Sequence, residues 1–162
     1  FLEELNIEKF CIVGHSFGGK VATLLNPKYL ILLSSAGILQ PKPFKIRFKI
    51  KLFKLLKPFL RMEKIKQLFI SDDVKEMKQN MYETFKNVVD EDFSEIFQQC
   101  TSKSLVFGGE NDTAVIPNSN KRIGELLNCS VNILKGNHYF FLDKSNKLII
   151  VSEIETFLKE NR

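Results

Sequence analysis

Apolar and polar positions fall into two rhythms along this chain. Residues 9–14, KFCIVG, form a short apolar run, β-branched in part, that predicts a buried strand. SFGGKVATLL follows with Val21, Leu24 and Leu25 available for a helical face, and Asn26-Pro27 stops it. YLILLSS at 29–35 predicts a second buried strand, and AGILQPKP breaks the pattern. SLVFGG at 104–109 and SVNILKG at 130–136 predict a third and a fourth. Ser119 can cap a helix carrying Ile123, Leu126 and Leu127. Ser145 can cap a last helix with Leu148, Val151, Ile154, Phe157 and Leu158 along one side.

Residues 44–100 have helical spacing and no convincing strand. Val74, Met77, Met81, Phe85 and Val88 share one face, with Ser71 or Asp72 to cap it, and Asp92 can cap a short helix carrying Phe93, Ile96 and Phe97. Strands alternating with helices, with continuous apolar strands, imply an α/β fold: a mostly parallel sheet covered on both faces. A helical insertion interrupts it, so the chain divides into core residues 1–40, an insertion at 41–101 and core residues 102–162. Phe1, Leu2 and Leu5 are apolar at helical spacing with no cap before them. They read as the last turns of a helix, and the expectation is a fragment truncated at its N-terminus.

The length, 162 residues, is that of one ordinary domain, and 44% hydrophobic with 27% charged residues fits a soluble globular core. Cys11, Cys100 and Cys129 lie far apart, giving neither a disulfide framework nor a metal-ligand spacing. No metal or organic cofactor is expected. The N-terminus lacks a basic segment followed by an apolar one, and no apolar stretch approaches the ~20 residues that span a bilayer. A reducing cytoplasm is the expected setting.

One short stretch carries chemistry: Gly14-His15-Ser16-Phe17-Gly18, between a predicted strand and a predicted helix. G-x-S-x-G in that setting is a nucleophile elbow, a strained turn that lifts the serine hydroxyl clear of the sheet. The glycines at 14 and 18 are expected to leave room for the turn, and the Phe17 N–H to face an oxyanion. A phosphate-cradling glycine turn is the competing reading. Against it, three residues rather than four separate Gly14 from Gly18, and Gly19-Lys20 is not followed by Ser or Thr.

Serine needs a base, and the chain has two histidines. His15 adjoins Ser16, and neighbours on an extended segment point to opposite faces, so it is expected to be structural and to line the floor of the site. His138, in KGNHYFF after the fourth strand, lies at the sheet's C-terminal end, as Ser16 does. FGGENDTAVIP after the third strand offers Glu110 and Asp112 as the acid that orients the base, with Asp112 the favoured of the two. His15 and Tyr139 are the candidates for substrate contact.

In these three motifs the chain resembles the α/β-hydrolase family: GHSFGG is similar to its elbow, GENDTAVIP to its acid loop and GNHYFFLD to its histidine loop. The resemblance implies Ser16 as nucleophile, Asp112 as acid, His138 as base, Phe17 as one oxyanion donor and the insertion as a cap or lid. It implies a carboxylesterase-like acyl hydrolase without a cofactor. Thioester, lactone and C–C bond chemistry also occur on this architecture. The family's sheet is larger than four strands, so its first half, with the loop giving the second oxyanion N–H, is expected to be missing here.

Charge concentrates in the insertion. Residues 41–66 carry ten Lys or Arg and one acid, a net +9 against +5 for the whole chain. The bland reading is a lid helix with solvated lysines. The alternatives are an anionic membrane surface or an acidic carrier protein bound through residues 42–66, by a non-catalytic or decayed member of the fold. Nucleic acid is disfavoured, because the stripe lacks stacking aromatics beyond Phe.

Overall fold

The computed structural model describes residues 4, 11–39, 88 and 91–161. The chain forms two compact units, residues 1–38 with 92–162, and residues 39–91. The expected lid, its helical faces between 44 and 88 and the basic residues 42–66 fall within the second unit and lie outside the described residues, save for Val88.

The first unit is built on four parallel strands in the order β1-β2-β3-β4: β1 (Cys11–His15), β2 (Tyr29–Leu33), β3 (Lys103–Gly109) and β4 (Ser130–Leu134). Register runs through His15↔Leu33, Leu33↔Phe107 and Gly109↔Leu134, so the loops after all four strands emerge at one end. The four predicted strands and their parallel arrangement are the observed ones.

Period-two alternation in β2 and β3 divides the core between the two faces. Leu30, Leu32 and Val106 pack with Ala22 of α1 (Phe17–Leu25), with Phe93 and with Phe97 of α2 (Ser94–Gln99), and with Ile123 and Leu127 of α3 (Pro117–Leu127). Ile31, Leu33, Leu105 and Phe107 pack with Phe140 and with Ile150 of α4 (Lys144–Glu160). Each such side chain contributes about 1.5–3 kcal/mol when fully buried. Phe93 and Phe97 are core residues, and α2 belongs to the sheet unit. Helical spacing alone could not separate α2 from the helices predicted before it.

Three expected caps move. At α3 the cap position is Ile116, Pro117 opens the helix, and Ser119 is buried inside the first turn. At α4 the Asp143 carboxylate accepts from the N–H groups of Ser145 and Asn146 at 2.9 and 3.2 Å, taking the place expected of Ser145. A carboxylate gains from the positive end of the helix as well as from the hydrogen bonds. At α2 the cap position is Phe93 rather than the expected Asp92, whose carboxylate still accepts from the Ser94 N–H at 2.9 Å.

The turn from β1 into α1 shows why glycines crowd this segment. A Cβ on Gly14 would sit 2.7 Å from both the Gly18 oxygen and the Gly19 Cα. A Cβ on Gly19 would run into Ser35 Oγ and lie 2.6 Å from Ser35 Cβ. At Gly18 a Cβ meets nothing within 4 Å. Gly14 and Gly19, not Gly14 and Gly18, therefore let α1 dock on the strand ends. The contrast is testable by urea denaturation. Gly19→Ala is expected to cost about 1–3 kcal/mol by overpacking. Gly18→Ala is expected to be neutral or to stabilise by up to about 1 kcal/mol, through helix propensity alone.

Candidate active site

Ser16 occupies the turn between β1 and α1 with φ 52° and ψ −122°, a left-handed conformation rare for a residue with a Cβ. Three backbone hydrogen bonds hold it there. Its N–H donates to Leu33 at 3.2 Å, and its carbonyl accepts from Gly19 and Ala36, each at 3.0 Å. The side chain is half-buried at the C-terminal end of the sheet. Phe17 opens α1, so its N–H has no intrahelical acceptor and stands at the positive end of the helix.

Asp112 sits in the loop after β3 and is buried. Its Oδ1 accepts from the N–H groups of Ala114 and Val115 at 2.8 and 2.9 Å, and its Oδ2 contacts His138 Nδ1 at 2.8 Å. Burial favours the neutral acid. The Val115 N–H, His138, the Ser34 hydroxyl and the Ala114 N–H outweigh it and hold the carboxyl below its ordinary value. Ser34 is itself fully buried, at φ 42°. Glu110, the other candidate acid, is exposed, and among the described residues its carboxylate accepts only a 3.4 Å contact from Asn111.

His138 occupies the loop after β4, its side chain 16% exposed. With Nδ1 engaged by Asp112, its second ring nitrogen is left for a reacting group. Among the described residues no hydrogen bond joins it to Ser16 Oγ. Such contacts often tighten only when substrate binds. Tyr139 is exposed with its ring 5.3 Å from that of His138, and His15 lies beneath with its ring at 4.6 Å. The structure thus gathers His15, Asp112, His138 and Tyr139.

Three supports of the histidine loop escaped the sequence pattern. Gly109 lets the loop cross the end of β3, since a Cβ there would collide with the Asn137 oxygen and lie 2.7 Å from that of Gly136. The acid and histidine loops are stitched by Glu110 N–H to Leu134 at 2.8 Å and Asn111 N–H to Gly136 at 2.9 Å. Asn146, buried in α4, donates to the carbonyls of Lys135 and Phe140, each at 2.8 Å, and so ties both ends of the loop to the helix. An Asn on a helix carries no special spacing, and only the loop's position reveals its use.

The depressed carboxyl of Asp112 ties stability to pH. Its stabilising contribution is complete above the ordinary carboxylate range, near pH 4, and is lost as the pH falls below that range through the depressed value. Asp112→Asn is expected to lower the urea midpoint at pH 7, and the gap to wild type should narrow steadily below about pH 4. A gap that stays constant with pH would remove the carboxylate's charge as its cause.

No protein-family model and no curated protein sequence matches the chain, whereas solved structures do. It is similar to a hydrolase from Pseudomonas aeruginosa at 18% identity and TM-score 0.67, covering 97% of this chain and 67% of that one. It is similar to the meta-cleavage product hydrolase of Pseudomonas fluorescens at 17% identity and TM-score 0.58, covering 99% and 68%. A serine hydrolase involved in carbazole degradation matches at 17% identity and TM-score 0.62, over 94% and 64%. This chain therefore spans about two thirds of the length of these structures. That likeness, with the all-parallel sheet flanked by helices, gives the family of folds: the chain has the α/β-hydrolase fold.

Proposed function

We propose that this protein is a serine hydrolase that cleaves ester-type acyl bonds through Ser16, His138 and Asp112. The 2.8 Å contact between His138 Nδ1 and the buried Asp112 carboxylate, at the same end of the sheet as the strained Ser16 turn, carries the proposal. Likeness to solved structures described as hydrolases supports it.

The chemistry follows from the groups present. His138 takes the proton of Ser16 Oγ as that oxygen attacks the acyl carbon. The carbonyl oxygen gains charge, and the Phe17 N–H at the start of α1 stabilises it. Asp112 accepts from Nδ1 of the imidazolium and keeps the ring in the orientation that returns the proton to the leaving group. A water, deprotonated by His138, then releases the acid. Tyr139, exposed beside His138, is the side chain proposed to contact the substrate.

The arrangement supplies a nucleophile, a base and an oxyanion donor, the groups that acyl transfer from an ester to water requires. Among the described residues no set of His, Cys, Asp and Glu gathers as a metal site, and no helix is long and apolar enough to cross a membrane.

Fluorophosphonate labelling read by intact mass tests the nucleophile. One adduct is expected, absent in Ser16→Ala and strongly slowed in His138→Ala. Turnover of a p-nitrophenyl ester is expected to fall ~10⁴-fold or more in Ser16→Ala and about 10⁴-fold in Asp112→Asn. An adduct that persists in Ser16→Ala, or unchanged turnover in either active-site variant, would refute the assignment.

A further inference from the structure

We infer that His15 is a positioning residue that fixes the base relative to the nucleophile, a role that rests on the hydrolase reading above. His15 Nε2 lies 3.2 Å from the backbone oxygen of His138, across 123 positions of sequence. A carbonyl only accepts, so the proton of that hydrogen bond sits on His15 Nε2. His15 is also the residue that precedes Ser16. One side chain therefore joins the strand that ends in the nucleophile to the loop that carries the base.

The other ties of that loop run elsewhere. Gly136 and Leu134 are bonded to the acid loop, and Lys135 and Phe140 to Asn146 of α4. Among the described residues the His15 bond is the one hydrogen bond between residues 13–19 and residues 135–142. The acid–base distance has its own contact, whereas the nucleophile–base distance depends on His15. Ring packing against His138 at 4.6 Å and Phe141 at 4.7 Å restricts the imidazole to this orientation.

The ring's surroundings suit a neutral donor. Burial pushes the His15 pKa down, and the neighbouring His138 adds to this. The carbonyl of His138 and the charge of Asp112 work against it without reversing the direction. A neutral His15 gives the N–H without setting a positive charge beside the imidazolium that His138 must become. The sequence reading made His15 structural, on the floor of the site, and a candidate for substrate contact. Its hydrogen bond adds a structural role toward the backbone of the base.

Two substitutions separate the bond from the packing. His15→Phe keeps a flat ring against His138 and Phe141 and loses the donor. His15→Gln keeps an amide N–H at similar reach. In the fluorophosphonate assay the Phe variant is expected to label Ser16 at least about 10-fold more slowly, since a misplacement of roughly 1 Å can cost ~10²-fold. Its kcat for a p-nitrophenyl ester should fall likewise with KM unchanged, and His15→Gln should recover most of both. Equal labelling by Phe and wild type, or equal loss in Phe and Gln, would overturn the role, as would a rise in KM with kcat intact. Long-range ¹H–¹⁵N correlation on the wild-type chain gives a readout independent of activity and of variant folding: a proton on His15 Nε2 is required, and an Nδ1–H tautomer would overturn it. If wild-type Ser16 takes no adduct while the tautomer is as stated, the hydrolase reading fails and the link between His15 and the His138 loop stands.

Discussion

The segment Tyr29–Leu33 is buried on both faces of the sheet, no residue in it more than 8% exposed. That double burial governs the arrangement of the first unit. A strand with no solvent side must be covered twice, and here the covers come from α1, α2 and α3 on one face and from α4 on the other. Parallel pairing with β1 and β3 then follows from the crossovers that supply those covers. Because all four strands run the same way, the loops carrying Ser16, Asp112 and His138 leave from one end. Residues far apart in sequence meet there without any long-range device beyond strand register.

The site places strain and compensation side by side. Ser16 and Ser34 both hold positive φ at the ends of adjacent strands, 52° and 42°. Each conformation costs about 1–3 kcal/mol and persists only where its surroundings over-determine it. At Ser16 the surroundings are three backbone hydrogen bonds and the close approach that Gly14 and Gly19 permit. At Ser34 they include its N–H bond to Phe107 at 2.8 Å. Asp112 follows the same logic with charge in place of strain. Burying a lone carboxylate is expensive, and its two backbone donors and His138 are what make a buried anion tolerable.

Much of this was legible in the sequence because it depends on local pattern. Apolar runs gave the four strands, and the order Ser16, Asp112, His138 at strand ends gave the candidate site that the proposed function rests on. What the pattern missed depends on contacts across the sheet. Ser145 looks like a cap until the carboxylate of Asp143, two residues earlier, takes both N–H groups. Gly18 matches the motif as well as Gly19 does, and only the position of Ser35 tells them apart. Phe93 and Phe97 read as part of a helical insertion because amphipathic spacing says that a face is buried, not what buries it. Asn146 has no sequence signal, since its two acceptors are backbone carbonyls, which every residue has.

The histidine loop shows how such a site divides its work. In the proposed mechanism its base needs two distances held at once, to the acid and to the nucleophile, and a single side chain on a surface loop has too much freedom for either. The acid distance is fixed by a charge-assisted contact into a buried carboxylate, reinforced by backbone bonds between neighbouring loops. The loop's ends are fixed to α4 by one buried amide. The nucleophile distance has to be set from the β1 side, where the chain turns sharply and Ser16 has no side chain to spare for the purpose. The preceding position is the nearest one free to act. Neighbours on an extended segment are expected to point to opposite faces, which argues against His15 as the base, and its ring instead reaches the carbonyl of His138. A residue set aside as a catalyst for its direction is thereby suited to hold the catalyst in place.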